Sequence, residues 1–284
     1  MASTRVPQVI EDQDGIESVT KQIWEGIYDS FEKVPLSGDG HDGSTWTAKS
    51  VEKMHNLQSL AQLKGSIPKV PEYNSTLLPL LAALVLKERG KATILDFGGG
   101  LGFTYLAVAA AIPASGKLDY HIVETQNICT AGEKAFARDP CIHFHSSLPT
   151  SIEAADIVHL GSSLQYIDDW RGLLKNLAGY SSLYFIFTDL TAGDIPSYVT
   201  AQNYYGAKIP ARFFNIDEIY DAMGKNGYQQ IFRSTFKGTY FGVVQKLPQD
   251  NLPERFRLGD TCSLVFGRDS ARDDAPVHNQ VRPR

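Results

Sequence analysis

The chain has 284 residues, a formal net charge of −5 and a hydrophobic fraction of 43%. These values are those of an ordinary globular protein, and they exclude a collagen-like, low-complexity or largely disordered chain. The acidic balance argues against a nucleic-acid-binding protein, which usually presents a basic face. The length accommodates one large domain or two smaller ones.

The cysteines and histidines show no metal-binding pattern in sequence. Cys129, Cys141 and Cys262 are far apart, without a zinc-type spacing, and the seven histidines do not recur with acids at helical spacing. We therefore expect reduced thiols and no metal site. The N-terminus does not resemble a signal peptide, and no apolar run approaches the ~20 residues of a membrane-spanning helix. The sequence predicts a cytoplasmic protein that does not contact a membrane.

The first 90 residues predict helices and no strand. Apolar residues recur every three or four positions over 16–34 and again over 46–64. A third helical pattern begins near 74–75 and ends at Gly90, a typical C-terminal cap. We expect this segment, 1–90, to form an N-terminal helical cap.

Beyond residue 90, short apolar strands alternate with helices, which is typical of a parallel sheet in a three-layer α/β domain. The predicted strands lie at 93–97, 119–123, 141–145, 156–160 and 182–188.

The remainder of the domain predicts an antiparallel edge on that sheet. The stretch 189–212, rich in Tyr, Gly and Pro, is predicted to be irregular. A helix follows over 215–227 with Asn215 as its N-cap, and then two strands at about 228–236 and 262–266. These elements complete a domain over 91–267, and we expect a mobile tail over 268–284.

A glycine-rich segment, Asp96-Phe97-Gly98-Gly99-Gly100-Leu101-Gly102, follows the first strand of this domain and opens the helix 103–112. Glycines at such a turn permit a tight bend and a close approach of ligand to backbone. The helix start also offers free N–H groups. The dinucleotide fingerprint G-x-G-x-x-G/A fails, because Phe103 or Tyr105 occupies the position that requires a small residue.

Glu124 ends the next predicted strand. An acid at this spacing after a glycine turn accepts hydrogen bonds from the ribose hydroxyls of an adenosine cofactor.

The pattern Asp96-x-Gly98-x-Gly100-x-Gly102 resembles the first motif of class I S-adenosylmethionine (SAM)-dependent methyltransferases. The resemblance implies that the loop wraps the methionine half of SAM, with Asp96 facing its ammonium group. It covers roughly 90–266. With the N-terminal segment included, the chain is similar to a group of bacterial methyltransferases without an assigned substrate. The implied fold is a Rossmann-like, seven-stranded, mostly parallel α/β sheet with helices on both faces, plus the N-terminal helical cap.

The resemblance extends to the next two strands. Ser146 and Ser147 follow the third strand where family members meet the adenine ring, although many members carry an Asp there. The segment 156–170 resembles the fourth motif, in which Gly161 and Ser162 would flank the methionine part of SAM. The expected cofactor-binding residues are Asp96, Phe97, Gly98, Gly99, Gly100, Gly102, Glu124, Ser146, Ser147, Gly161, Ser162 and Gln165.

The expected activity is methyl transfer to a small-molecule or saccharide acceptor, at oxygen or nitrogen. Such a displacement depends mainly on alignment, and a hydroxyl acceptor also needs a base. The candidate catalytic residues are Asp189, after the fifth strand, His159 and Tyr166, with His145 as a further base candidate. A histidine inside a strand is, however, more often a hydrogen-bonded structural residue.

Several alternatives stay open at this stage. The chain could be an NAD(P)-dependent oxidoreductase, which Phe103 disfavours, or a non-catalytic partner protein with the same fold. Methylation of RNA is disfavoured by the acidic balance. Arg212 could bind an acidic substrate group or pair with a surface acid, and Tyr204 and Tyr205 could line the acceptor pocket. A homodimer is compatible with the sequence.

Overall fold

A computed structural model describes residues 22–38, 40, 43, 46–52, 54–55, 77–112, 117–204 and 206–268. The predictions for residues before 22 and for the tail after 268 lie outside the described residues.

Strands and helices alternate along most of the described chain. The strands are β1 (Trp24–Tyr28), β2 (Ala92–Phe97), β3 (Leu118–Val123), β4 (Ile142–His145), β5 (Ile157–Gly161), β6 (Tyr184–Leu190), β7 (Ala192–Gly193), β8 (Tyr198–Tyr204), β9 (Ala207–Asn215), β10 (Tyr228–Phe236), β11 (Thr239–Tyr240), β12 (Val243–Val244) and β13 (Thr261–Arg268). The helices are α1 (46–52 and 54–55), α2 (Leu77–Arg89), α3 (Phe103–Ala111), α4 (Gln126–Ala135), α5 (Trp170–Ala178) and α6 (Ile216–Lys225).

The central sheet has seven strands in the order β10-β13-β6-β5-β2-β3-β4. The five strands from β6 to β4 run parallel, whereas β13 is antiparallel to β6, and β10 to β13. This arrangement confirms the predicted mostly parallel sheet with an antiparallel edge. The local patterns were sufficient because each of these strands contains recurring apolar residues and is bounded by polar or turn residues.

Helices cover both faces of this sheet, as predicted. Successive strand residues point to opposite faces. Ile94 of β2 accordingly packs in a core cluster with Leu78 of α2 and Val108 of α3. Its neighbour Leu95 belongs to a second cluster with Leu174 of α5 and residues of α6. Among the described residues, no helix is long and apolar enough to cross a membrane.

The prediction of a helix over 16–34 is wrong for 24–28, which form strand β1. This strand pairs antiparallel with β8, and Trp24 packs edge-on against Phe213 of β9. Its register shifts between Glu25 and Tyr28, and Gly26 adopts a left-handed φ of 75°. An apolar spacing of three or four can therefore arise from an irregular strand, whose partner lies far along the chain. The helix predicted over 46–64 is confirmed for 46–52 and 54–55, and the helix predicted from 74–75 to Gly90 is confirmed as α2. Residues 56–64 and 74–76 lie outside the described residues.

The prediction of an irregular stretch over 189–212 is also wrong. Strands β8 and β9 form an antiparallel hairpin, and together with β1 and β7 they make a second sheet in the order β1-β8-β9-β7. The burial of β9 alternates along the strand, and Pro210 occupies one of its half-buried positions. The turn-forming composition of the stretch masked this alternation.

Candidate active site

A cavity of about 700 Å³ opens at the carboxyl ends of β2 and β5. The strand order changes direction between these two strands, because β3 and β4 are added on one side of β2 and β5 and β6 on the other. Ligands of open α/β sheets bind at this kind of topological switch point. Many residues singled out from the sequence line the cavity, namely Phe97, Gly98, Glu124, Ser146, Ser147, Gly161, Ser162 and Tyr166. The strand order therefore brings together segments that lie far apart along the chain.

The glycine turn after β2 has the backbone geometry for which glycine is needed. Gly98, Gly100 and Gly102 adopt φ values of 74°, 56° and 83°, in the left-handed region. A Cβ added at Gly98 would collide with the Ser163 side chain, whereas one added at Gly100 would meet nothing within 4 Å. The turn thus packs closely against the loop that follows β5, at Ser163, and leaves open space at the position of a side chain on Gly100.

Glu124 joins this turn to the end of β3. Its Oε1 accepts a hydrogen bond from the Gly100 N–H at 3.1 Å, and its Oε2 accepts one from the Thr125 N–H at 2.9 Å. These two bonds hold both carboxylate oxygens of Glu124 against the backbone beside the cavity. The acid and the glycine turn, predicted separately, form one unit in the wall of the cavity.

Asp96 does not face the cavity, which corrects the expectation that it meets an ammonium group there. It is 0% exposed, and its two oxygens lie 2.6 Å from Tyr120 Oη and 2.8 Å from His159 Nδ1. A Cβ on Gly99 would lie 2.7 Å from its Oδ2. The buried Asp96 carboxylate therefore packs against Gly99 and supports the glycine turn from the core side.

His159 is likewise outside the cavity, so the structure does not support its candidacy as a base. Its side chain is buried, with Nδ1 against Asp96 and Nε2 3.2 Å from Thr188 Oγ1. Both ring nitrogens have protein partners, which agrees with the alternative expectation of a hydrogen-bonded structural histidine. His145 does not line the cavity either. Its Nε2 lies 2.9 Å from His121 Nδ1.

The ends of β5 and β6 carry a pair of strained residues beside the cavity. Ser162 and Asp189 are non-glycine residues with left-handed φ values of 52° and 54°. Such conformations cost free energy and concentrate at functional sites. The Ser162 N–H donates to Thr188 O at 2.8 Å, which fixes the two strand ends together.

Asp189 lies behind Ser162 rather than in the cavity wall. Its carboxylate accepts hydrogen bonds from Thr261 Oγ1, at 2.6 Å, and from the Ser162 hydroxyl. Burial raises the pKa of Asp189, and these two donors oppose the rise. Gln165, expected to contact the cofactor, is also buried behind this wall, and its Nε2 donates to Ser162 Oγ at 2.9 Å. Ser162 is thus the contact between this polar network and the cavity.

Tyr166 lines the cavity and reaches the second sheet. Its hydroxyl donates to Gln202 Oε1 of β8 at 3.0 Å. Burial, with a contribution from the charge of Asp189, raises the pKa of Tyr166 to about 12. The phenol therefore stays protonated near neutral pH, where it can donate a hydrogen bond but cannot act as a base.

Trp46 of α1 and Gln202 of β8 also line the cavity and were not identified from the sequence, whereas Tyr204 was expected to line it. The positions of Gln202 and Tyr204 on β8 depend on the second sheet, whose long-range strand pairing has no local signal. Arg212 instead pairs with a surface acid, since its Nη2 donates to Asp168 Oδ1 at 3.0 Å. The predicted pocket residue Tyr205 lies outside the described residues.

The fold is that of SAM-dependent methyltransferases of known structure. A chain from the complex between the Haloferax volcanii Trm112 methyltransferase activator and a methyltransferase matches with a TM-score of 0.51 and 12% identity, over 82% of this chain and 99% of that chain. The 1,6-didemethyltoxoflavin-N1-methyltransferase of Burkholderia thailandensis matches with a TM-score of 0.47 and 12% identity, over 83% and 92%. A SAM-dependent methyltransferase of Listeria monocytogenes matches with a TM-score of 0.46 and 13% identity, over 78% and 98%.

At these identities, the likeness concerns the fold alone. No protein-family model matches the chain, and no curated protein matches it by sequence.

Proposed function

We propose that the protein is a SAM-dependent methyltransferase that acts on a small-molecule or saccharide acceptor at oxygen or nitrogen. The observation that carries the proposal is the bond between Gly100 and Glu124 at the cavity wall. It joins a glycine turn at a helix start to an acid positioned for a ribose, which together constitute an adenosine-binding arrangement.

The chemistry of the lining fits SAM better than a dinucleotide. Among the described residues that line the cavity, Glu124 is the only charged side chain, and the others are apolar or neutral polar. SAM carries a sulfonium and an ammonium but no phosphate, whereas a nicotinamide dinucleotide carries a pyrophosphate. The open space above Gly100 gives a ligand close access to the backbone. Phe97, Gly98, Gly161 and the serines 146, 147 and 162 would hold the rest of SAM.

The remaining space suits an acceptor with a ring. Among the lining residues, Trp46 and Tyr204 offer aromatic faces and Gln202 an amide. Aromatic faces with a few polar groups are typical of small-molecule pockets, and about 700 Å³ lies within their usual range. This combination supports a saccharide or an aromatic small molecule as the acceptor.

SAM supplies an activated methyl group when it is bound. The task of the chain is then to hold the acceptor atom in line and to exclude water. For a hydroxyl acceptor, we assign the proton path to Ser162 and Asp189: Ser162 Oγ takes the acceptor proton while its own proton passes to the Asp189 carboxylate. The raised pKa of Asp189 makes it a stronger base than an exposed aspartate. Tyr166, whose hydroxyl donates to Gln202, borders the space for the acceptor.

Parallel calorimetry with SAM, S-adenosylhomocysteine (SAH) and NADH tests the cofactor. We expect one SAM or SAH per chain and no NADH binding; tight NADH binding without SAM binding would overturn the proposal. Activity is tested by SAH release from labelled SAM with panels of sugars, phenols and amines. If SAM binds but no panel supports turnover by the intact protein, the non-catalytic alternative gains support.

A further inference from the structure

We propose that Asp119, His121 and His143 form a binding site for a divalent transition-metal ion, with Zn²⁺ as its representative. Their ligand atoms all lie within 4.8 Å of one another. Asp119 Oδ1 lies 2.9 Å from His121 Nε2 and 3.2 Å from His143 Nε2. The proposal does not rest on the proposed methyl-transfer function.

The sheet itself brings these side chains together. Asp119 and His121 are two residues apart on β3, and His143 and His145 are two apart on β4, so each pair projects from one face of its strand. Parallel pairing sets His121 beside His143, and their rings stack at 4.8 Å. The intervening residues of both strands, such as Phe144, pack into the core on the other face.

His121 provides independent evidence for a ligand. It is 5% exposed, and its Nε2 has no hydrogen-bond partner among the described residues. That nitrogen lies 2.9 Å from Asp119 Oδ1 but in an orientation that makes no hydrogen bond. A buried polar atom without a partner destabilises the folded state. Two ligands of one metal ion would show this arrangement, in which a nitrogen and an oxygen lie close together without a hydrogen bond between them.

His145 orients His121 for this role. His145 Nε2 lies 2.9 Å from His121 Nδ1. When Nδ1 donates to His145, the lone pair of His121 Nε2 faces the Asp119 carboxylate. Two acceptors then face each other, and a cation between them removes the conflict. Metal-binding histidines commonly have their second nitrogen fixed by such a bond, so His145 is a positioning residue.

The geometry and the donor set select the class of ion. Zinc bonds of 2.0–2.2 Å in a tetrahedral site place ligand atoms roughly 3.3 Å apart. The two Asp119 distances, 2.9 and 3.2 Å, are close to this spacing, whereas the set as a whole, within 4.8 Å, requires the histidine nitrogens to approach each other by up to ~1.5 Å. Two imidazoles and a carboxylate favour Zn²⁺ and its transition-metal neighbours over Mg²⁺ or Ca²⁺. Asp119 and His143 have side chains 46% and 44% exposed, which lets an ion enter from solvent and retain water.

An ion at this position would fasten the edge strand of the sheet. β4 lies at one edge and is followed directly by Ser146 and Ser147, which line the cavity. Because the ion would bind the folded chain only, we expect it to raise the melting temperature.

The test uses untagged, chelator-treated protein. Zn²⁺ is titrated against a chromophoric competitor, and Co²⁺ absorption reports the ligand set. We expect one ion per chain and an increase in Tm. His143→Gln, a change at a half-exposed position, and Asp119→Asn should each weaken Zn²⁺ binding at least tenfold, and His145→Gln should weaken it while the 1:1 stoichiometry remains.

The matched control is His55→Gln, which removes an exposed histidine outside the cluster and should leave Zn²⁺ affinity unchanged. Circular dichroism checks that each variant is folded. Absence of stoichiometric Zn²⁺ binding would overturn the proposal, and so would equal affinity in folded His143→Gln, Asp119→Asn and wild-type protein. SAH binding by His143→Gln, measured separately, distinguishes this outcome from a failure of the proposed function.

Discussion

Glu124→Ala is the most direct test of the adenosine assignment. In the structure, this carboxylate accepts from the Gly100 and Thr125 N–H groups and borders the cavity. The substitution should therefore weaken SAH binding in two ways. It removes the acceptor for the ribose hydroxyls, and it releases the glycine turn from β3.

The magnitude follows from the bonds that are lost. Two hydrogen bonds to a charged acceptor contribute about 1.5–3 kcal/mol each. Their loss amounts to about 3–6 kcal/mol, or roughly 10²- to 10⁴-fold in Kd, since each 1.4 kcal/mol is tenfold. Glu124→Gln keeps one carbonyl oxygen and the side-chain size, so it should lose about the equivalent of one bond, roughly 10- to 150-fold.

Isothermal calorimetry with SAH measures these changes, and denaturant unfolding checks that the variants remain folded. Glu88→Gln removes an exposed carboxylate on α2 and serves as the matched control. A Glu124→Ala variant that binds SAH within about threefold of the wild type would refute the ribose assignment, because a difference of ~0.6 kcal/mol is too small for even one such bond.

Three further predictions concern residues around the cavity. Asp189→Asn should lower turnover by about 10²- to 10⁴-fold with SAH affinity retained. The substitution should also raise the free energy of unfolding at neutral pH. The raised pKa of Asp189 gives stability at low pH that is lost as pH rises through the folded-state pKa, and an asparagine does not ionise. Normal turnover of the variant would contradict the assigned role of Asp189. Gly98→Ala should destabilise the fold by more than ~1 kcal/mol through its left-handed φ and its collision with the β5 loop, whereas Gly224→Ala, in an open helical position, should not. Tyr120→Phe should cost about 1.5–3 kcal/mol in denaturant unfolding by removing a bond to buried Asp96, and unchanged stability would contradict the pairing.

The parts of the fold that the sequence predicts are those with local causes. In strands β2 to β6, buried apolar residues recur between turn residues, and in β4 they alternate with histidines. The glycine turn is a run of residues able to adopt positive φ, and Asn215 caps α6 by accepting from Asp217 N. Strand β1 was missed because Trp24 and its neighbours become a strand only by pairing with β8, near Gln202. Nothing within the segment itself encodes that partner.

The candidate site shows the same division. Gly98, Gly161 and Glu124 lie beside the cavity as expected, because a motif fixes which strand end they occupy. Whether a side chain points into the cavity was not predicted. Asp96, His159 and Gln165 lie behind the cavity wall, because their orientation depends on contacts with other buried residues, namely Tyr120, Thr188 and Ser162. The histidine and aspartate cluster was missed because helical spacing was the pattern considered, whereas alternate positions on two neighbouring strands bring it together.

The pairing of β1 with β8 also constrains the order in which the molecule can assemble. Thr200 Oγ1 bonds to Glu25 O across 175 positions of the chain, whereas β2 and β3 pair over a much shorter separation. Contacts of large sequence separation form late, since a long loop must close first, and β1 emerges from the ribosome well before its partner exists. The glycine turn and Glu124 can thus form during synthesis, while the part of the cavity wall that β8 supplies is completed only when β8 and β9 are available. If the proposed function holds, changes at Gln202 and Tyr204 would alter acceptor choice with little effect on how the central sheet folds.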